Sequence, residues 1–371
     1  MSSIHQKYFV RYSLLVCIFL SSSYQLHAQN TLNEKLPELG AAWNLAWVSD
    51  GTKGPSASFG FVAIYSVVQS DDMEWLYVLD SESETIWIMS PQSGEVIGNF
   101  GREGSGPGEF QTPFNMEWSN GGLWISDPSL NRVSRFSKSG DYQYSVILKE
   151  MALHPAHMLV HYSDDQIILH RRFSRGGTPL TMMLDSAEGA GTTTTIISDS
   201  EARSIAPSGS EGIGGVISSK VIVLDSNRLL LAFMTPPIIG FVPLIESHEM
   251  KTLVDLRDVI GECAGYVETS RASMAQCWLS AISKVPGSES LSAIIHRQSV
   301  SRTSEDGLVA DKWAQPDVVV TIDSRSGEVL ESRTVEFGEW TIELWRPKQT
   351  LYLTGTMNDV PVLLRYDYVD R

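Results

Sequence analysis

The sequence predicts an all-β fold, a six-bladed β-propeller of four-stranded antiparallel blades whose ring is closed by an N-terminal strand. Two observations carry this prediction. A strand-rich module of just under fifty residues recurs along the chain, and turn residues (Ser, Asn, Asp and Gly) separate its strands. Short strands joined by turns at this period are typical of propeller blades. Apolar residues spaced by three and four, which would indicate helical repeats, do not recur.

The clearest pair of copies lies in the first half of the chain. The run Trp75–Asp80 aligns with Gly122–Asp127, at an offset of 46 to 47 residues. Six residues after each Asp a second apolar strand begins, and each copy then reaches a Ser-Gly pair. Two strands and two turns at matching positions predict that these segments occupy equivalent places in neighbouring blades.

The turn that precedes each copy also recurs. It is found at Ser70–Asp72, Ser119–Gly121 and Ser163–Asp165, and Asp225–Asn227 resembles a fourth copy. A β-rich run follows each of them. These residue types suit tight turns because their side chains bond the local backbone or because they tolerate positive φ.

A distant similarity extends the repeat to the C-terminal half. Met89–Val96 resembles Ile322–Val329 at an offset of 233, close to five repeats. The last copy, Thr350–Tyr366, lacks an outer strand, which Ala41–Trp47 can supply. Phe61–Val68 then opens the first blade. Joining the two chain ends in one blade removes an open sheet edge, which would otherwise promote aggregation.

The first 28 residues are predicted to be a cleaved secretory signal. Lys7 and Arg11 precede a short apolar run, and His27-Ala28 closes a polar exit segment. The apolar run is far shorter than the roughly 20 residues that span a bilayer. Lipid attachment at Cys17 is the alternative, although Cys17 lies within the apolar run and follows Val16 rather than a small residue.

Removing 28 of the 371 residues leaves 343, predicted as a single propeller domain over 29–371. The signal contains two basic residues and no acid, so the net charge falls from −16 to −18. An acidic surface disfavours nucleic acid and anionic lipid and keeps a protein soluble. We expect an exported monomer, periplasmic or extracellular, with no transmembrane segment.

A long insertion is predicted at about 237–288, which exceeds the repeat and contains Cys263 and Cys277. A seventh blade hidden there is the alternative to six. Two cysteines are too few for a structural zinc site. In an oxidising compartment they can form a disulfide worth about 3 kcal/mol by the loop-entropy model, the alternative being two buried thiols.

The segment Phe100–Pro113 is glycine-rich and ends in Gly-Glu-Phe-Gln-Thr-Pro, and Ser126–Val133 follows it. These two motifs resemble the blade-linking signature of NHL-repeat propellers, with one additional residue in the second. The resemblance covers residues 75–145 and is faint elsewhere. It implies an exported, six-bladed propeller of the NHL or TolB-like kind. Because the motif specifies blade architecture, it implies no particular chemistry.

The glycine-rich segment also contains the candidate ligand-binding residues Arg102, Glu103 and Glu109, which we expect on a propeller face. A phosphate-binding loop is disfavoured because a helix would have to follow it, and Pro107 and a strand pattern follow instead. Phe110 is predicted to anchor the segment in the core.

No catalytic set and no metal or other cofactor is predicted. His157 and His161 share one face of a predicted strand, whereas His154 does not, so this cluster is a poor metal site. There is no EF-hand loop and no nucleophile elbow. The tryptophans fall mostly in strand patterns, which indicates core packing, with a sugar- or peptide-binding face as the alternative.

These features favour a non-catalytic binding or scaffold propeller for a protein, peptide or glycan. The alternative is a metal-dependent lyase or lactone hydrolase with its site at the axial funnel. Bound metal in the purified protein would discriminate between them.

Overall fold

The structure is a computed structural model, and it describes the following residues: 36–37, 39, 42–57, 59–119, 121–147, 157–163, 166–171, 173–174, 181–185, 193–198, 217–225, 228–234, 237–243, 251–260, 266–268, 273–275, 277–285, 287–297, 299–303, 307–311, 317–337, 340–347 and 349–369. The predicted signal lies outside them.

The described strands form five four-stranded antiparallel sheets, one five-stranded sheet and two two-stranded sheets. Sheets 1 and 2 are contributed by the first half of the chain. Sheet 1 contains β2 (Ile64–Gln69), β3 (Leu76–Asp80), β4 (Thr85–Met89) and β5 (Val96–Phe100). Sheet 2 contains β6 (Asn115–Ser119), β7 (Gly122–Asp127), β8 (Arg132–Phe136) and β9 (Tyr142–Ile147), with a 3-10 turn at Pro128–Leu130.

The middle of the chain forms sheets 3 and 4. Sheet 3 contains β10 (His157–Ser163), β11 (Gln166–Arg171), β13 (Thr181–Asp185) and β14 (Thr193–Ile197). Sheet 4 contains β12 (Phe173–Ser174), β15 (Ile217–Asp225), β16 (Arg228–Phe233), β17 (Ile238–Pro243) and β18 (Lys251–Asp255). A short helix, α1 (Leu256–Ile260), follows β18.

The C-terminal part forms sheets 5 and 6. Sheet 5 contains β21 (Cys277–Lys284), β22 (Ser290–Arg297), β25 (Asp317–Asp323) and β26 (Val329–Val335). Sheet 6 contains β27 (Thr341–Arg346), β28 (Thr350–Met357), β29 (Val360–Tyr368) and β1 (Trp43–Ser49). The two small sheets are β19 (Tyr266–Glu268) with β20 (Ser273–Ala275), and β23 (Ser299–Thr303) with β24 (Gly307–Asp311).

These sheets surround one axis, so the fold is an all-β propeller. The first strands β2, β6, β10 and β15 are neighbours in that order. Strand β21 contacts β16 of sheet 4 on one side and β27 on the other, and β27 contacts β2. The contacts therefore return to their starting point, as they must in a closed ring.

The N-terminal strand closes the ring, as the sequence predicts. Strand β1 pairs antiparallel with β29, from Trp43 opposite Tyr368 to Ser49 opposite Leu363. Trp43 is buried in the core between sheets 5 and 6. Trp47 donates its indole N–H to the carbonyl of Pro91, in sheet 1, at 2.7 Å. One strand thus connects sheet 6 to the sheets on both sides.

The distant sequence similarity is also a structural equivalence. Ser90–Glu95 and Ser324–Glu328 both connect the third strand of a sheet to the fourth. Gly94 N–H donates to the carbonyl of Ser90 at 2.8 Å, and Gly327 N–H donates to that of Asp323 at 3.0 Å. The first motif lies in sheet 1 and the second in sheet 5, so the offset of 233 residues corresponds to four sheets along the ring and not to the five repeats that the sequence suggested. The difference arises because the chain between sheets 4 and 5, and within sheet 5, carries additional elements.

Between sheets 4 and 5, the part of the chain outside the sheets is shorter than the range 237–288 that was predicted as an insertion. Strands β17 and β18 complete sheet 4, and β21 opens sheet 5. Of the described residues between the two sheets, those in regular elements belong to α1 and the pair β19–β20. A second pair, β23–β24, interrupts sheet 5 between β22 and β25.

The antiparallel order gives every sheet two ends. We call the end where the first strand begins and the second strand ends the entry face, and the opposite end the hairpin face. Connections on the hairpin face, such as 70–75, 90–95 and 137–141, hold two to seven residues in every sheet. Those within the described residues, including these three, are short β-hairpin turns.

A cluster of ionic contacts joins sheets 1 and 2 on the hairpin face. Lys138 Nζ lies 2.5 Å from an oxygen of Asp72 and 2.7 Å from one of Glu74, and 5.4 Å from the ring centre of Trp75. The hydrogen bond from Lys138, with those from Ser70 and the Glu74 N–H, lowers the pKa of Asp72 from 3.8 to about 2. Asp72 therefore stabilises the folded state once it is ionised.

We expect Lys138→Met to lower stability at pH 7 and to have a progressively smaller effect as the pH falls from about 4 to about 2. The pKa of Asp72 is depressed in the folded state, so its contribution is present above the unfolded pKa and disappears as the carboxylate is protonated. Urea midpoints of wild type and variant at pH 7, 4 and 2.5 measure this effect. Lys53→Met, at an exposed position, is the control. A difference independent of pH would contradict the assignment.

Candidate functional site

The two faces differ in the length of their connections. The entry face has five connections of fourteen residues or more, namely 50–63, 101–114, 198–216, 256–276 and 298–316. The last three adjoin sheets 4 and 5. Long connections on a rigid scaffold are where binding residues concentrate. The entry face beside sheets 4 and 5 is therefore the candidate functional surface.

The connection 101–114 shows how this face is held in place. Asp127, at the end of β7, accepts hydrogen bonds from the backbone N–H groups of Gln111 (2.8 Å), Thr112 (3.3 Å) and Leu130 (3.2 Å). Asp127 is buried, so its carboxylate needs these partners. Asp80 has the same role in sheet 1, where it accepts from Val62 and Ala63. The alignment of these two aspartates in the sequence is confirmed.

Arg132 supports the same connection from below. Its buried guanidinium donates to the carbonyl oxygens of Ser105 at 3.2 Å and Gly106 at 3.0 Å, and to that of Glu109. Phe110 is fully buried between sheets 1 and 2, which confirms its predicted anchoring role. The connection 101–114 is therefore held to the sheets at several points along its length.

The three candidate residues of this loop have different surroundings. Arg102 and Glu109 form an ion pair at 2.7 Å, with the Arg102 side chain 78% exposed. The Gly106 N–H donates to Glu109 at 2.8 Å, and this bond, ahead of Arg102, lowers the pKa of Glu109. Glu103 is exposed and is not part of this pair. Ligand binding by Arg102, Glu103 and Glu109 stays a prediction.

Acidic side chains gather where this loop meets the turn after β3. Burial raises the pKa of Glu84, and the charges of Glu103 and Glu82 raise it further. Within the described ranges, no group of three or more His, Cys, Asp or Glu side chains could hold a metal ion. Strand β10 contains His157 and His161, as predicted, whereas His154 lies outside the described residues.

A buried histidine–carboxylate pair lies at the entry-face end of sheet 5. His296 Nδ1 and Asp317 Oδ1 are 2.7 Å apart, and both side chains are buried. The other carboxylate oxygen of Asp317 accepts the backbone N–H of Phe337 at 3.1 Å. The rings of Trp278 and Phe337 pack at 5.4 and 6.2 Å from the imidazole. Because both side chains are buried, the pair links β22 to β25 inside the sheet and is not exposed to a ligand in solvent.

This pair closes the base of the β23–β24 hairpin. His296 is the penultimate residue of β22 and Asp317 is the first residue of β25, so the chain leaves the sheet beside one and returns at the other. The β19–β20 pair ends immediately before β21, which starts at Cys277. Both small sheets therefore extend from the same end of sheet 5, above a rigid buried support.

Cys277 is disulfide-bonded. Its predicted partner, Cys263, lies outside the described residues, so the pairing of Cys263 with Cys277 stays a prediction. The predicted bond to Cys263 would tie the connection that precedes β21 to the first residue of sheet 5. Such a tie restricts the freedom of the unfolded chain and anchors the entry-face elements.

The axial edge of sheet 4 carries one further strand. Phe173 and Ser174 of β12 pair antiparallel with Ser218 and Ile217, the first residues of β15. Strand β12 belongs to the connection between β11 and β13 of sheet 3, and it occupies the edge of β15 opposite β16. A segment from sheet 3 therefore lies beside the axis at the entry face, next to the long connections.

Comparisons with known proteins concern the fold alone. A member of the DUF4221 family from Bacteroides vulgatus has a TM-score of 0.52 and 9% identity, covering 90% of this chain and 100% of its own. A Bacteroides fragilis protein described as exported has a TM-score of 0.50 and 9% identity, covering 89% and 96%. The protein U3-55K has a TM-score of 0.51 and 10% identity, covering 90% and 100%.

These similarities place the chain among β-propellers. No protein-family model matches the sequence, and no curated protein matches it. Among the described residues, no helix is long and apolar enough to cross a membrane. The resemblance to NHL-type and TolB-like propellers remains a resemblance.

The sequence did not reveal the His296–Asp317 pair. The two residues are 21 positions apart, and neither belongs to a recurring motif. Only the pairing of β22 with β25 brings them together, because the intervening strands β23 and β24 pair with each other as a separate sheet. The one available signal was an unusually long gap between two apolar strands.

Proposed function

We propose that this chain is an exported, non-catalytic binding propeller whose ligand contacts the entry face beside sheets 4 and 5. The observation that carries the proposal is the difference between the faces. Every connection of fourteen residues or more is on the entry face, and the hairpin face has turns of seven or fewer. A purely structural propeller has no need for long connections on one face. A binding surface on that face accounts for them, because binding residues concentrate on loops that a rigid scaffold positions.

The support beneath these connections favours binding over a purely structural role. Buried Asp127, Arg132 and the His296–Asp317 pair hold the entry-face end of the sheets through hydrogen bonds. A ligand-binding surface benefits from such a support because less conformational freedom is lost on binding. The ligand class proposed is a protein, peptide or glycan.

We also propose that the ring has six blades, one for each sheet of four or more strands. Five sheets have four strands, and sheet 4 differs from them only by β12, which is contributed by sheet 3. Residues 29–371 then form one propeller domain after cleavage of residues 1–28. Export is supported by the signal predicted at residues 1–28, and the disulfide at Cys277 fits an oxidising compartment.

Removal of the β23–β24 hairpin tests the proposed surface. In the variant an Asn-Gly turn replaces residues 298–316 and links Arg297 to Asp317. These two residues are already close because β22 pairs with β25. Peptide and glycan arrays are then probed with wild type and variant. We expect binding to fall at least tenfold in the variant, with a melting temperature within a few degrees of wild type.

The control changes the hairpin face alone. Glu95→Lys alters an exposed residue of the turn between β4 and β5, and binding should stay within twofold of wild type. Binding that survives loss of the hairpin but is abolished by Glu95→Lys would place the ligand on the wrong face. An array without any bound ligand, together with substrate turnover by metal-loaded protein, would favour the metal-dependent enzyme instead.

A further inference from the structure

A groove runs between sheets 4 and 5 at the outer rim of the entry face. Its volume is about 520 Å³, within the range of ligand-binding clefts. The apolar wall is formed by Val259 and Ile260 of α1 and by Val318 of β25. The polar wall contains Ser332 and Thr334 of β26 and Arg297 of β22, and Arg333 of β26 borders the groove at the sheet edge. No acidic residue lines it in the part of the chain that the structure describes.

The side of β26 along this groove is an open sheet edge. Strand β26 is the last strand of sheet 5 and pairs only with β25 among the described strands. By contrast, the edge of β5 is covered, since Val96 N–H donates to the carbonyl of Lys53 at 2.8 Å. An edge strand directs the N–H and C=O groups of alternate residues outward, where another extended segment can pair with them.

The side chains of β26 fit such a partner. Leu330 is 54% exposed, and the hydroxyls of Ser332 and Thr334 are on the same side of the strand as Val318. Arg333 is opposite Val319 in the register, so it lies on the other side of the strand, beside Val335, and within the described residues it makes no ion pair and no side-chain hydrogen bond. An unpaired guanidinium favours a carboxylate, which it binds through two parallel hydrogen bonds.

We propose that an extended acidic peptide segment of a partner protein docks as a fifth strand on β26 and places a carboxylate against Arg333. The backbone of β26 supplies the strand pairing, and the groove accepts alternate side chains of the peptide. The net charge of the chain, −16, does not oppose this, because charges more than about 8 Å away are screened at physiological ionic strength. This deepens the proposed function, and rests on it, by naming the partner's chemistry.

Selection from a random nonapeptide display library on the immobilised mature chain tests the proposal. We expect the selected peptides to be enriched in Asp and Glu, with these acidic residues alternating with β-branched residues along the peptide. Binding of a selected synthetic peptide should weaken at least tenfold in Arg333→Glu, which reverses the charge, and in Ser332→Trp, which fills the groove. Hydrogen exchange should show protection of the amides of Leu330–Thr334 when the peptide is bound.

Matched controls separate a local effect from a general one. Arg325→Glu makes the same charge change on the hairpin face of sheet 5, and Ser332→Ala changes the groove without filling it; both should bind within twofold of wild type. Selected peptides without acidic enrichment, or with equal affinity for Arg333→Glu, would overturn the proposal. Displacement of the peptide by an acidic oligosaccharide, with no amide protection on β26, would show a plain anion site and would also overturn it.

Failure here is distinguishable from failure of the proposed function. Arg333→Glu leaves the β23–β24 hairpin in place, and the hairpin-removal variant leaves β26 intact. If removal of the hairpin abolishes binding on the array and Arg333→Glu leaves it unchanged, only the peptide proposal is wrong.

Discussion

Replacing Asp127 with alanine should lower the free energy of unfolding by about 3 to 5 kcal/mol. The buried carboxylate accepts three backbone N–H groups, two from the connection that enters sheet 2 and one from the turn after β7. Alanine leaves these donors without partners in a site closed to water. The lost charge also removes a neighbour of Arg132, whose guanidinium holds the same connection. Chemical denaturation with urea measures the change.

The comparison that isolates burial is Asp141→Ala in the same sheet. Asp141 lies on the hairpin face and accepts hydrogen bonds from Ser137 and Ser139 in an exposed turn. We expect its replacement to change the urea midpoint only slightly, because surrounding water substitutes for the lost acceptor. Equal midpoints for Asp127→Ala and Asp141→Ala would mean that the entry-face carboxylate does not hold the connection in solution.

A chain that begins at Asp50, and so lacks β1, should lose at least about 5 kcal/mol of stability. The deletion removes the buried side chain of Trp43 and the packing of Trp47, and loss of a buried tryptophan alone costs about 3 to 5 kcal/mol. It also leaves β29 as an open edge. A loss of this size is comparable with the whole stability of a typical domain, so unfolding or aggregation is the expected state.

Thermal melting and sedimentation of the truncated chain check this result. A chain that begins at Leu36 serves as the control, because it keeps β1 together with Leu36 and Leu39, which pack against the same core. We expect the control to melt within a few degrees of the full chain. A monomeric truncated chain with an unchanged melting temperature would show that the ring does not depend on β1.

Much of the architecture was determined by local sequence. Turn residues such as Ser70–Asp72 and Ser119–Gly121 set where strands end, and alternating or continuous apolar runs set which segments enter sheets. The aligned pair Asp80 and Asp127 occupies equivalent places for this reason, and the strand that closes the ring could be identified because the last copy lacked one. These features depend on interactions between residues close along the chain, or on a repeat that copies them.

Only the tertiary structure decided where the candidate functional surface lies. The gathering of long connections on one face and the joining of His296 to Asp317 arise from pairings between strands separated by an inserted hairpin, and the groove beside β26 forms where two sheets meet. Arg102 and Glu109 were predicted from the sequence as candidate ligand-binding residues, with Glu103, and the fold pairs these two with each other. Contacts between residues distant in sequence depend on strand register and sheet twist, and no short motif records either.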